Sequence, residues 1–357
     1  MSVDQKSVLL CLSGGVDSSV CALILKEQGY KVEAIYFVLT DIDLSKDKLN
    51  TIKRIANTLN ISLTVLDIRE QFQKRVIKYF IDSYKSGLTP NPCVICNPYI
   101  KFKYSILEAQ KRGIPFVATG HYARIKRQKD EVKLFKATYP EKDQSYFLAL
   151  LPKDYLSKII LPLGEFSKEE VVNIAKTKGL SSIVFPESQE VCFLKGDYRN
   201  FLLERCPFLL KRGEIIDING RYLGTHLGLF RYTIGQRRGL GIPDKTPYYV
   251  VRLDIRNNRL IVGKSKDLFS KTFIVDKLNW LDKRTAFNNK FLDIKIRFRH
   301  KGAKATIKEI DDRKIYVEFK EPQRAITPGQ FAVFYLDDQV LGGGRICELP
   351  STHWAVR

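Results

Sequence analysis

The chain has no long hydrophobic run. No window approaches the ~18 uninterrupted apolar residues that a membrane span requires. Its first residues, Met1 to Lys6, carry no signal-peptide or transit-peptide pattern and lead straight into an apolar segment. These two absences predict a cytoplasmic protein with no membrane partner. There is no internal repeat and no low-complexity tract. The seven cysteines are an odd number in a chain without an export signal, which argues against a disulfide scaffold. Acidic residues are in short supply: 39 Asp and Glu against 60 Lys and Arg leave a formal net charge of +21. Such an excess is unusual for an enzyme of small molecules, because a basic surface repels itself and attracts polyanions. It favours nucleic acid as the partner over an ordinary basic surface. A hydrophobic fraction of 44% still provides for packed cores, so the chain is not a disordered polycation.

With 357 residues, the chain has room for two or three domains. In the first half, apolar strands over residues 7–12, 31–38, 62–67 and 115–119 alternate with helical patterns over 18–28, 47–59, 70–86 and 101–112. That alternation predicts an α/β domain whose parallel sheet carries helices on both faces. Past Cys206 short alternating strands take over. They surround turn signals at Asn219-Gly220, Asn257-Asn258, Asp311-Asp312 and Asp337-Asp338, with strand patterns at 248–255, 259–263, 292–299, 305–310, 314–319 and 331–336. The predicted division is an α/β domain over 1–205, a small central β domain over 206–270 and a C-terminal β-barrel over 271–357.

Between the first strand and the first helix stands Leu12-Ser13-Gly14-Gly15-Val16-Asp17-Ser18-Ser19. Two glycines let the backbone turn tightly and bring N–H groups against an anion. A helix beginning at Ser18 adds unpaired amides and the positive end of its dipole. The hydroxyls of Ser13, Ser18 and Ser19 are candidate further donors, and Asp17 suits Mg²⁺ better than a bare phosphate. The lysine and the Gly-Lys-Ser/Thr ending of a Walker A loop are missing, as is the glycine spacing of a dinucleotide fingerprint. An ordinary glycine-rich turn would explain Gly14-Gly15 alone. The full Ser-Gly-Gly-Val-Asp-Ser is more specific and resembles the PP-loop of ATP pyrophosphatases, which cleave ATP between the α and β phosphates and transfer AMP to a carbonyl oxygen.

Residues 89–97, Thr-Pro-Asn-Pro-Cys-Val-Ile-Cys-Asn, read as a rigid loop ahead of a helix that starts at Lys101. Prolines restrict the backbone there, and a Cys-x-x-Cys pair near a helix N-terminus favours thiolate. A structural zinc site would need a second Cys pair, and there is none. A redox dithiol and a pair of inert structural cysteines both stay open. Cys192, followed by Phe193 in the segment 185–193, is a weak signal alone, since a cysteine before phenylalanine is usually core. Cys11 and Cys21 fit the packed faces of the first strand and helix. Cys206 and Cys347 have no chemical neighbours in sequence, so all four read as structural.

Further motifs follow in order: Ile100-Lys101-Phe102, residues 118–122, residues 142–147, residues 233–241, Ile296-Arg297-Phe298 and Pro328-Gly329-Gln330. Together with the two loops they span almost the whole chain, which resembles the tRNA-specific 2-thiouridylases of the MnmA/TrmU family. The resemblance implies ATP-dependent 2-thiolation of uridine 34 at the tRNA wobble position. ATP would be bound at Cys11, Leu12, Ser13, Gly14, Gly15, Val16, Asp17 and Ser18, with Phe37 and Gly120 near the nucleotide. Adenylation of the C2 oxygen turns a poor leaving group into AMP. Cys192 would carry a persulfide received from a sulfur-relay donor protein. Cys96 would attack it and leave a Cys96–Cys192 disulfide, chemistry that suits a reactive thiol beside a resolving one.

The resemblance also places Asn91, Pro92 and Cys93 at the target base, which must leave its stack to be modified. It places His121, Lys142, Asp143, Gln144, Arg297, Phe298 and Gln330 against tRNA, where cations meet phosphates and aromatic rings meet bases. The ordinary readings are a solvated charged face for Lys142 and Arg297 and a packed ring for His121. Two departures stand out. The family's familiar form has Asp where this chain has Cys93, so that carboxylate's role does not carry over. The third thiol opens an alternative in which Cys93, Cys96 and Cys192 hold a [4Fe–4S] cluster with one open iron. The segment from Leu39 to Lys48 is also shorter and poorer in cysteine than in many relatives. ATP and Mg²⁺ are the implied cofactors, tRNA the implied partner, and a monomer the favoured state. The rivals are a PP-loop ligase of a small molecule, which needs neither paired cysteines nor +21, and a lysidine-forming enzyme, which would lack Cys-x-x-Cys. A non-catalytic RNA-binding protein would have no use for an intact loop and Cys96.

Overall fold

Alternation along the first strand decides how the N-terminal half is layered. In the computed structural model, which describes residues 6–128, 131–180, 184–185, 191–194 and 196–348, β1 (Ser7–Cys11) sends Leu9 to one side and Val8 and Leu10 to the other. The same split recurs in β2 (Lys31–Val38), where Ile35 and Phe37 oppose Ala34 and Tyr36. One face packs on α1 (Val16–Glu27), α2 (Lys46–Thr58) and, later in the chain, α5. The other packs on two long helices, α3 (residues 69–85) and α4 (residues 92–111). With β3 (Ser62–Asp67), β4 (Phe116–Ala118) and the short β7 (Ile159–Ile160), the sheet runs β3-β2-β1-β4-β7, all parallel. α5 (Lys168–Thr177) and α6 (Tyr198–Arg205) complete this half. Among the described residues no helix is long and apolar enough to cross a membrane.

Both long helices contain a π turn, Gln73–Ile77 in α3 and Asn97–Phe102 in α4. This corrects the reading of residues 89–97 as a loop ahead of a helix at Lys101, because α4 begins at Pro92. Pro92 occupies the first helical position, where its missing N–H is not needed. Pro98 falls inside the helix, where the wide turn leaves room for a ring that an ordinary turn would crowd. α1 likewise begins at Val16, two residues before the sequence pattern placed it, so Asp17 lies in its first turn.

The second half is β. Strands β8 (Gly213–Asp217), β9 (Tyr222–His226), β10 (Tyr249–Asp254) and β11 (Arg259–Gly263) form a sheet in the order β10-β11-β8-β9. After them come β12 (Phe269–Trp280), α7 (Lys283–Asn288), β13 (Leu292–Lys295), β14 (Ala303–Asp311), β15 (Lys314–Arg324), β16 (Phe331–Leu336) and β17 (Gln339–Glu348). The order β12-β15-β14-β13-β16-β17, closed by a β12–β17 pairing, makes a six-stranded barrel around Phe273, Val317, Phe319 and Phe334. The parallel-sheet α/β unit, the β unit and the terminal barrel are thus as the sequence predicts. The sequence pattern did not reveal β12, β17 or a hairpin made by β5 (Ala123–Gln128) and β6 (Glu131–Lys136). The strand expected over 292–299 also stops at Lys295, which releases Arg297 and Phe298 into a turn.

The barrel is fastened to the α/β half. The β5–β6 hairpin joins its edge at Phe135 and Gln339. The Tyr146 hydroxyl donates to the Phe331 carbonyl at 3.0 Å, and the Asn279 amide donates to the carbonyls of Ala149 and Leu151 at 2.9 Å each. Phe331, Val333 and Tyr335 share a core with Leu148 and Ala149.

Candidate active site between the phosphate loop and the cysteine helix

The loop after β1 is held by its own side chains. Gly14 has φ +85°, and a Cβ there would stand 2.5 Å from Ile52 Cδ1 and 2.7 Å from Phe185 Cδ2. The Ser18 and Ser19 hydroxyls donate to the Gly15 carbonyl at 3.1 and 3.0 Å, and Ser13 N donates to Ser18 Oγ at 3.2 Å. Ser18 and Ser19 are buried, so their hydroxyls brace the loop, contrary to the expectation that they serve a phosphate. The exposed Ser13 and the unpaired amides at the start of α1 remain for an anion. Gly120 rests on this helix start, and a Cβ there would lie 3.1 Å from Ser18 N. Leu12 is buried with its N–H on the Ile35 carbonyl, and Val16 is half-buried in the first helical turn. Phe37 is nearly enclosed at the far end of β2. Asp17 Oδ1 accepts from the Tyr122 hydroxyl at 2.8 Å and pairs with Lys168 Nζ at 2.7 Å, so an ammonium already balances this carboxylate.

The thiols gather beside the same strand end. Cys93 and Cys96 are three residues apart in the first turns of α4, the spacing that puts two side chains on one helix face. Cys96 is buried, Cys93 half-buried and Cys192 exposed. The three lie close enough that a charge on Cys192 or Cys93 makes Cys96 harder to ionise. Cys11 Sγ is 2.9 Å from Ser105 Oγ, which donates to the Lys101 carbonyl at 2.6 Å, so α4 is joined to the entry of the phosphate loop.

Burial pushes the Cys96 thiol up to about 12 and the Cys11 thiol up to about 11, and it also raises Cys93. Burial of the thiol raises Cys192 as well, to about 11, although the residue as a whole is exposed, so Cys96 is the costlier of the two to ionise. The expectation that this pair favours thiolate is not met: burial raises both Cys93 and Cys96. The opposing influence is Lys101, which lowers all four thiols and which they raise in turn. In the sequence Lys101 was only part of a motif. The signal that marks it is a single cation in the apolar run Tyr99-Ile100-Lys101-Phe102.

His121 stacks on Phe102 at 5.8 Å, and its Nδ1 lies 2.8 Å from Thr119 Oγ1. Burial, helped by Lys101, pushes the ring down to about 3, so it is neutral near pH 7 and is no phosphate-binding cation. Asn97 donates to the Phe147 carbonyl at 3.1 Å, while its buried Oδ1 has no partner among the described residues. Those residues contain no group of three His, Cys, Asp or Glu side chains placed to hold a metal ion. An ammonium is set among the sulfurs instead. Cys93, Cys96 and Cys192 as arranged do not fit a cluster.

The rim comes from all three units. Gln330 of the barrel donates to the Thr89 carbonyl at 2.9 Å, and Thr89 N donates to the Pro328 carbonyl at 3.0 Å. A Cβ on Gly329 would come within 2.7 Å of Thr89 N. The Thr89 hydroxyl reaches Thr233 Oγ1 of the central unit at 3.4 Å. Two residues on, Asn91 and Pro92 form the N-cap and first position of α4. Phe298 packs on Phe147 at 4.4 Å, next to the carbonyl that Asn97 holds. The Arg297 guanidinium donates to the Arg324 carbonyl at 3.0 Å and has no carboxylate partner among the described residues. Burial and Arg324 both lower it. Lys142 is half-buried, but its neighbour in sequence, Asp143, lies inside, accepting from Ala137 N and Ser145 N at 3.1 Å each. Gln144 accepts from Tyr122 N at 3.1 Å. These last two brace the fold. Residues 186–190, between Phe185 and Cys192, lie outside the described residues.

Three family models cover the chain in turn: a tRNA methyl transferase HUP domain over residues 6–196, a tRNA methyl transferase PRC-barrel domain over 199–264 and an aminomethyltransferase beta-barrel domain over 270–346. The tRNA-specific 2-thiouridylase MnmA of Carboxydothermus hydrogenoformans is 42% identical, with 96% of this chain and 98% of that protein aligned. The corresponding protein of Desulfotalea psychrophila is 41% identical, with 94% and 98% aligned. The chain belongs to the tRNA-specific 2-thiouridylase family. As a 2-thiouridylase family member it combines an ATP-type phosphate loop with two unlike thiols, one open to solvent and one enclosed. Cys192 lies within electrostatic reach of Cys96, whereas Asp143 and Gln144 turn inward.

Proposed function

We propose that this protein performs ATP-dependent 2-thiolation of uridine 34 in tRNA, in the cytoplasm, with residues 1–205 doing the chemistry and units 206–270 and 271–357 holding the RNA. ATP binds at the phosphate loop, and the C2 oxygen of the flipped uridine attacks its α-phosphorus as pyrophosphate departs. Asp17 would hold Mg²⁺, which supplies charge neutralisation for the departing phosphates, and Lys168 adds a second cation there. A persulfide on Cys192, delivered by a sulfur-relay protein, then attacks C2 with its terminal sulfur, and the bond from C2 to oxygen breaks to release AMP. The Cys96 thiolate attacks Sγ of Cys192, so the bond to the terminal sulfur breaks and its electrons complete C=S on the base. A Cys96–Cys192 disulfide remains, and an external dithiol reduces it with two electrons.

The observation that carries this reading is the pairing of an exposed Cys192, open to a donor, with a buried Cys96 inside its electrostatic reach, both joined through Lys101 and Ser105 to the loop entry. The excess of +21 and an Arg297 with no carboxylate partner among the described residues support an RNA substrate. Cys96→Ser and Cys192→Ser should each lower 2-thiouridine formation by about 10³-fold or more, while tRNA-dependent pyrophosphate release persists. Loss of pyrophosphate release in both variants would remove these thiols from the sulfur half of the reaction. Iron and sulfide bound stoichiometrically after anaerobic purification would replace the persulfide with the cluster.

A further inference from the structure

Sulfur transfer through Cys96 and Cys192 leaves one cation at their centre without a task. Lys101 makes no ion pair with a carboxylate among the described residues. Its charged or ionisable neighbours are Cys11 from β1, Cys93 and Cys96 from its own helix, Cys192 from the 191–194 segment and the neutral ring of His121. Among the described residues, the other charged groups facing Cys192 are Asp43 and Lys48, which pair with each other. Among the described residues, Lys101 is therefore a positive charge beside four sulfurs with no carboxylate partner.

Helix geometry is what puts it there. Residues five apart on a regular α-helix point about 140° away from each other. The π turn Asn97–Phe102, with its i to i+5 closure, takes in an extra residue and swings Lys101 back to the face of Cys96. The Lys101 N–H consequently lies against the Cys96 sulfur. Ser105 then fixes the Lys101 carbonyl and Cys11 together.

We propose that Lys101 is the counter-cation of sulfur transfer, holding negative charge in turn on the persulfide of Cys192 and on Cys96 as it attacks. This deepens the thiolation reading and rests on it. Lys101 keeps its protons throughout: Cys96 loses its own to solvent, the new Cys96–Cys192 bond forms as the bond to the terminal sulfur breaks, and the ammonium stays to meet the next persulfide. A regular turn in place of the π turn would carry this charge away from the sulfurs.

Alkylation of Cys192 by iodoacetamide, followed by peptide mass spectrometry on the full-length protein at one fixed pH, tests the idea. Lys101→Met should slow alkylation about tenfold and 2-thiouridine formation in parallel, and Lys101→Arg should restore most of both. An unchanged rate in folded Lys101→Met, or Lys101→Arg as slow as Lys101→Met, overturns the proposal. The wild type decides independently if Lys101→Met does not fold. A central cation should favour the anionic reagent, so the ratio of iodoacetate to iodoacetamide rates at Cys192 should exceed that of free cysteine and survive Lys48→Met. A ratio no higher than that of free cysteine overturns it. Alkylation needs neither ATP nor tRNA, so an error in the proposed substrate would leave these results untouched.

Discussion

The phosphate loop and the cysteine helix are neighbours built on opposite plans. In the loop each serine hydroxyl has a partner, Asp17 has both a phenol and an ammonium, and Gly14 stands where a methyl group would collide. In the helix a thiol is pushed up to about 12 and, among the described residues, a buried amide oxygen has no partner and a lysine has sulfurs for neighbours in place of a carboxylate. Satisfied groups fix a shape before the ligand arrives. Unsatisfied ones cost stability and are kept where a substrate will complete them. One site is a finished mould for a phosphate chain, and the other is incomplete until sulfur and base enter.

If the loop is finished in advance, one added methyl group should damage it most. Gly14→Ala forces a Cβ into Ile52 and Phe185 at a positive φ, and should cost about 2–4 kcal/mol from overpacking and strain. Thermal unfolding and an ATP titration should show a lower Tm and ATP binding weakened about tenfold or more. Undiminished ATP binding would erase the contrast.

The cysteine side should yield to acid instead. His121 falls to about 3 in the fold, against 6.5 in the open chain, so the unfolded state binds the extra proton between those values. The stability this gives is complete above pH 6.5 and is lost as pH falls toward 3, at up to about 1.4 kcal/mol per pH unit. Denaturant unfolding from pH 7 to 4 should show that slope, and His121→Gln should flatten it. The smallest effect belongs to the link between the regions. Gln330→Ala removes one hydrogen bond to the Thr89 carbonyl, about 1 kcal/mol, and should slow tRNA thiolation several-fold with Cys192 alkylation unchanged.

How much of this was legible in the sequence follows the same divide. Strands 31–38 and 62–67 coincide with β2 and β3: the largely buried β2 reads as an apolar run, and the half-exposed edge strand β3 as a short β-branched and leucine segment between polar ends. Gly14-Gly15 declared the loop. The two prolines around Cys93 and Cys96 hid the start of α4: Pro92 is tolerated at a first helical position and Pro98 by a π turn, neither of which a helical period announces. β17 escaped because Gly342-Gly343-Gly344 breaks its alternation, although the Trp280 backbone and the Ala332 carbonyl leave no room for side chains there. Asp143 reads as an exposed acid between Lys142 and Gln144 but is enclosed by Ala137, Ser145 and Lys295. Lys101 was visible as a letter and not as a charge among sulfurs, since Cys11 and Cys192 reach it only through the fold.

The clasp on Thr89 has a consequence for how the protein comes into being. Every reagent of the proposed chemistry has been translated by residue 192, yet Thr233 and Gln330, which grip the approach to Asn91, emerge from the ribosome far later. A nascent or prematurely ended polypeptide would own the thiols and the loop without the grip that aims them, so completion of synthesis itself licenses the site.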